Sequence, residues 1–78
     1  INKLESVKIP EDFDYNSINE LSIETRQKLS RLRPSNLAEA YRIPGITYTD
    51  INLIWIIIEK MRYENRGNSK RIRDKSSV

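Results

Sequence analysis

The apolar positions of this chain fall into three helical runs separated by turn signals. Leu21, Thr25, Leu29 and Leu32 recur at spacings of four, four and three, which sets them on one helix face. Ser22 stands before the run as a cap, Glu24 lies in the first turn where the helix dipole favours an anion, and Pro34 ends it. A second cap at Ser35 opens a short helix through Leu37, Ala38 and Ala40 to about Tyr41. The stretch RIPGIT, 42–47, then breaks the chain sharply. Pro44 stops the short helix, Gly45 is free to take a positive φ, and Thr47 with Asp50 forms a T-x-x-D start for a third helix.

That third helix is predicted from about Tyr48 to Tyr63 or Glu64. INLIWIII, 51–58, is rich in branched residues and also admits a strand. The cap at Thr47 and the continuation EKMRYE, which exceeds ordinary strand length, decide for helix. Ile51, Ile54, Trp55 and Ile58 make a core stripe, while Leu53, Ile56 and Ile57 make a second stripe on another side. A helix apolar nearly all round is normally buried in something larger. Its apolar run falls well short of the ~20 residues a bilayer span needs. The second stripe is therefore expected to meet the rest of a longer protein, a second copy or another protein.

Before the first helix, INKLESVK, 1–8, shows no clear period. In IPEDFDY, Pro10 holds Ile9 out of the helical region, and Phe13 and Tyr15 alternate with acids, as in an extended segment docking aromatic anchors. Irregular structure or a single turn is expected over 10–20. From Asn65 the pattern dissolves into NRGNSKRIRDKSSV, a composition expected to be disordered. The fold class is thus all-α: a small bundle of about three helices with an extended N-terminal segment and a disordered basic tail. The bundle takes residues 1–63 and the tail 64–78.

Composition changes this picture by exclusion. The chain has 78 residues, which bounds it to one small domain. It contains no Cys and no His, which removes disulfides, thiolate nucleophiles, imidazole bases and the usual zinc ligands. Gly45 and Gly67 are its only glycines, too few for a phosphate-cradling loop. Glu11, Asp12 and Asp14 form the one dense acidic set and read as a solvated turn. No catalytic, cofactor or metal residue is assigned, and the segment is not expected to be an enzyme by itself. It begins at Ile1 with nothing resembling a signal peptide, and reads as a piece of a longer protein.

Charge adds an asymmetry. The net +3 divides into −1 over residues 1–61 and +4 over 62–78. Arg66, Lys70, Arg71, Arg73 and Lys75 are suited to neutralising phosphates, with a solubilising terminus as the plain alternative. Arg31, Arg33 and Arg42 flank the junction of the first two helices and suit backbone contact or base stacking; surface charge is the simpler account. Tyr41, Tyr48 and Tyr63 read first as packed rings with wet hydroxyls, and second as platforms for single-stranded bases. Pro44, Gly45 and Thr47 form the hinge. The form apolar-Pro-Gly-apolar also resembles a helix-hairpin-helix element, though that motif expects a second glycine where Thr47 stands.

Taken in order, IPEDFDY, LSIETRQKL, the Arg33-Pro34 pair and LAEAYRIPGIT before an aliphatic helix resemble the C-terminal end of the MnmG/GidA family. The resemblance covers about residues 8–60. Members are flavin-dependent enzymes that act with the GTPase MnmE. Together they install a carboxymethylaminomethyl group on the wobble uridine of certain tRNAs. The resemblance implies a cytoplasmic, homodimeric parent enzyme using FAD and NADH, with its flavin and catalytic residues in a large N-terminal portion outside this segment. It implies that the C-terminal helical domain docks MnmE and holds tRNA. The chain departs from the family in having Tyr48 where members usually have Pro, and in the extension 64–78. Two other readings stay open: a helix-hairpin-helix-like nucleic-acid module, and a purely structural bundle.

Overall fold

The computed structural model describes residues 3–77, with side chains over 3–64. Four α-helices and one 3₁₀ turn follow in order: α1 (Lys3–Ser6), the 3₁₀ turn Tyr15–Ser17, α2 (Ile23–Leu32), α3 (Leu37–Arg42) and α4 (Tyr48–Ser77). Among the described residues there is no strand, and the one extended pairing is an isolated antiparallel bridge between Lys8 and Asn36. The all-α bundle predicted from the sequence is what forms, with α1 added at a place where no period was legible.

The predicted starts of α2 and α4 are present as hydrogen bonds. Ser22 Oγ accepts from Thr25 N–H at 3.1 Å, which satisfies one orphan donor of α2. Thr47 N–H donates to Asp50 Oδ2 and Asp50 N–H donates to Thr47 Oγ1, both at 3.1 Å, which is the reciprocal capping box the sequence predicts. Gly45 sits at φ +93°. The cap of α3 differs from expectation. It is Asn36, whose side chain accepts from Glu39 N–H at 2.8 Å, while Ser35 N–H donates to Glu39 Oε1 at 3.0 Å. Ser35 instead lies one position before the cap, its carbonyl accepting from Ile9 N–H at 3.0 Å.

That bond belongs to a two-sided tie. Ile9 N–H reaches Ser35 O, and Leu37 N–H reaches Val7 O at 3.1 Å. The extended segment 7–9 is thereby fastened to the entrance of α3, and Val7 and Ile9 become core residues. Phe13 and Tyr15 dock as the alternation predicts, buried and edge-to-face with ring centroids 4.9 Å apart. Leu21, Leu29 and Leu37 join Ile51, Ile54 and Ile58 of α4 in the same core. α3 touches both α1 and α4, so the short helix is the bundle's centre.

Two predictions about apolar stripes are corrected. Leu32 shares the α2 spacing but is 48% exposed, because α2 ends at that residue and the chain turns away. On α4, Leu53 and Ile57 are half-buried and pack against the core, as does Trp55, whereas Ile56 is 64% exposed. The expected second stripe is thus reduced to Ile56, since Leu53 and Ile57 pack against the core. The end of α4 also differs. It continues to Ser77, past Tyr63 or Glu64 where the loss of period predicts an end and a disordered tail. Loss of apolar period marks where packing stops. A helix already nucleated can run on through residues without proline, although Gly67 costs it about 1 kcal/mol.

Candidate nucleic-acid and partner interface

The three arginines singled out in the sequence occupy different environments. Arg31 is exposed in the last turn of α2. Arg42 ends α3 and pairs with Glu5 at 3.7 Å; both side chains are mostly exposed, so the pair adds little. Arg33 is built into the fold. It takes the left-handed conformation, φ 48° and ψ 62°, at the C-terminus of α2, and it precedes Pro34. Both features are unfavourable for a non-glycine L-residue. Its Nη1 donates to Phe13 O at 2.6 Å and to Glu11 O at 3.4 Å, and its guanidinium lies 5.4 Å from the Tyr15 ring centroid. One side chain therefore holds the 11–15 loop against α2 and offsets its own backbone strain.

Other cations act in the same way. Arg26 Nε donates to Leu21 O at 3.1 Å and Nη1 to Asn16 O at 3.4 Å, which ties α2 to the 3₁₀ turn. Lys28 Nζ donates to Pro44 O at 2.9 Å and pairs with Glu24 at 3.7 Å. The hinge is therefore clasped from α2. A Cβ built at Gly45 would stand 2.8 Å from Lys28 Nζ. The amides of Ile46, Thr47 and Asp50 are all engaged within the hinge. These three donors are spent inside the turn and are not offered to a phosphate, so the corner is closed at those positions.

The solvent side of the corner carries an aromatic pair that the spacing did not mark. Tyr41 of α3 and Tyr48 of α4 meet edge-to-face at 5.9 Å, each about half exposed. Tyr48 stands where the resemblance expects Pro, and here it splints the hinge from outside. Farther along α4, Ile56 and Tyr63 are 64% and 77% exposed, and Met61 is partly exposed. Trp55 Nε1 donates to Glu59 Oε2 at 3.4 Å on the same helix. Arg66, Lys70, Arg71, Arg73 and Lys75 fall within the α4 range, but their side chains lie outside the described residues.

Two titrations are displaced. Burial pushes the Tyr15 phenol up to about 12, with Arg33 pulling the other way. The Ser35 backbone N–H holds the Glu39 carboxyl below the ordinary range, helped by Arg42. Neither arrangement is a catalytic pair. Among the described residues no group of three or more His, Cys, Asp or Glu could hold a metal ion, and no helix is long and apolar enough to cross a membrane. A dinucleotide loop needs clustered glycines between strand and helix, and Gly45 is a lone glycine in a helix–helix corner with Lys28 against it.

The comparisons agree with this architecture. A model of the tRNA modifying enzyme MnmG/GidA C-terminal helical bundle matches residues 1–78. Among curated relatives, the tRNA uridine 5-carboxymethylaminomethyl modification enzyme MnmG of Parabacteroides distasonis is 52% identical over 58 residues, covering 74% of this chain and 9% of that protein. The enzyme of the same name from Phocaeicola vulgatus is 50% identical over 58 residues, with the same coverage of both chains. That of Geobacillus thermodenitrificans is 41% identical over 68 residues, covering 87% of this chain and 11% of the relative. The chain thus spans about a tenth of the length of the relatives it matches. No solved structure gives a significant match. With the bundle matched from end to end, and identities of 41–52% to enzymes of one name, the chain belongs to the family of the tRNA modifying enzyme MnmG/GidA C-terminal helical bundle.

Proposed function

We propose that this bundle is the binding domain of a wobble-uridine-modifying flavoenzyme, docking the GTPase MnmE through α4 and holding tRNA through its basic end. In this proposal the chemistry, FAD and NADH belong to the N-terminal portion of a cytoplasmic, homodimeric parent. The observation that carries the reading is the exposed apolar side of α4. Ile56 and Tyr63 remain in water although the same helix has already supplied Ile51, Ile54 and Ile58 to the core. Such residues cost solubility and mark contact sites where they cluster. The basic excess of +4 over residues 62–78 supports the tRNA part, since cationic side chains supply most sequence-independent affinity for nucleic acid.

The test is an NMR titration of the chain with MnmE and with tRNA in turn. Docking predicts amide shifts at Ile56, Lys60 and Tyr63 with the GTPase, and shifts beyond Arg62 with tRNA. A chain that responds to neither partner is a structural prop for its parent, and the proposal fails.

A further inference from the structure

Beside the Arg33 corner lies an open groove of about 540 Å³. Its apolar lining is Ile9, Pro10, Pro34 and Tyr15, and its charged lining is Lys8, Arg33 and Glu11. A groove of this volume is in the range that holds small organic ligands. Tyr15 is 1% exposed, and its hydroxyl has no hydrogen-bond partner among the described residues. A buried hydroxyl without a partner is costly and calls for an explanation. Arg33 presents a second unfilled set. Its Nη1 is spent on Phe13 O and Glu11 O, while Nε and Nη2 have no hydrogen-bond partner among the described residues. The left-handed backbone and the clip to the 11–15 loop fix that guanidinium in place.

We propose that this groove is a nucleotide subsite. The phosphate is held by the free edge of Arg33 and by Lys8, the flat ring lies against Pro10, Pro34 and Ile9, and the Tyr15 hydroxyl donates to a ligand acceptor. The donor set decides the class: a guanidinium edge, an ammonium and a phenol that burial keeps protonated all favour an anionic acceptor. The apolar lining demands a ligand with a body larger than phosphate alone. Glu11 is the one opposing charge, so the phosphate sits on the Lys8 side of the groove. The source of the nucleotide, an RNA strand rather than a free metabolite, rests on the tRNA reading above. The groove itself rests on its own residues.

The experiment titrates the chain with uridine 5′-monophosphate, uridine, inorganic phosphate and a short oligouridylate, following backbone amides and the Arg33 Nε–Hε signal. The monophosphate is expected to give saturable shifts at Ile9, Glu11, Arg33 and Ser35, and to bind more tightly than uridine or phosphate. Tyr15→Phe removes one hydrogen bond while keeping the ring, and should weaken it roughly fivefold. Lys8→Gln changes an exposed side chain and should weaken it about three- to tenfold, whereas Glu11→Gln should tighten it. Absence of saturable shifts around the groove overturns the proposal, as does an unchanged affinity in both Tyr15→Phe and Lys8→Gln. Oligouridylate binding tighter than the monophosphate supports an RNA source. If tRNA docks on the chain while the groove stays silent, the subsite fails and the tRNA reading stands. If the monophosphate binds and tRNA does not, the subsite stands for a free nucleotide and the tRNA reading fails.

Discussion

Replacing Gly45 with Ala isolates what the hinge requires. At φ +93° the residue lies in the left-handed half of backbone space, where a Cβ costs roughly 1–2 kcal/mol. The new Cβ also meets Lys28 Nζ at 2.8 Å, which must move and give up its bond to Pro44 O. Lys28 is partly exposed and the ammonium can swing into water, so that loss is small, about 0.5 kcal/mol. The sum is about 2 kcal/mol, which for a domain of this size lowers Tm by roughly 8–16 °C. Thermal and urea unfolding of Gly45→Ala measure it directly. A second comparison separates the two causes: in a Lys28→Met background the clash with the ammonium is gone, so Gly45→Ala should still cost about 1–1.5 kcal/mol. A cost below about 0.5 kcal/mol in the natural background, or one that vanishes with Lys28→Met, would show that backbone conformation is not what selects glycine here.

Ile54→Ala should cost about 2–5 kcal/mol, because the side chain is fully buried, while Ile56→Ala should stay within about 0.5 kcal/mol. Urea midpoints compare the two, and equal costs would refute the assignment of core and exposed sides on α4. Tyr15 has a folded pKa raised from 10.0 to about 12, so its contribution is present below pH 10 and is lost as pH rises from 10 to 12. Tyrosinate absorbance should show one late-titrating phenol, and Tyr15→Phe should lose that part of the alkaline destabilisation. Removing residues 66–78 from the full-length enzyme strips five basic side chains against one acid. It should lower the dependence of log K for tRNA on log[salt] and weaken all tRNAs about equally; identical slopes with and without the segment would make it a bystander.

What the sequence made legible was local. Ser22 with Thr25, Thr47 with Asp50, and the positive φ of Gly45 all depend on residues within four positions, and all three are present. What it hid was long-range. The Arg33 clip reaches back 20 residues to Phe13, Lys28 reaches 16 forward to Pro44, and segment 7–9 pairs with 35–37. No periodicity records such partners, because a long cation finds whichever carbonyl the tertiary fold leaves without a donor. The same limit explains the stripe on α4. Spacing states that Leu53, Ile56 and Ile57 differ in direction from Ile54, but only the placement of the other elements decides which of them is covered. Arg33 was marked as a surface cation for nucleic acid; its position was visible, and its use in holding the 11–15 loop was not.

This internal use of cations bears on where nucleic acid can be gripped. In the bundle, Arg26, Lys28 and Arg33 donate to backbone carbonyls, and Arg42 faces Glu5. Residues 1–61 carry a net −1 even before these engagements are considered. The body of the domain thus carries no net positive charge to attract a polyanion over distance, since a screened field reaches only about 10 Å at moderate salt, and any contact there must be short-range. The +4 of residues 62–78 begins at the α4 turn that carries Tyr63. An exposed apolar side and a basic end on one continuous helix give a division of labour along its length. The apolar part suits a protein surface, where desolvation of Ile56 and Tyr63 supplies affinity, and the basic part suits phosphates, where counterion release does. On that division, Ile56→Lys should weaken the protein partner without changing the salt slope for tRNA. Loss of residues 66–78 should do the reverse. A single variant that moved both by the same factor would mean that the two partners share one surface.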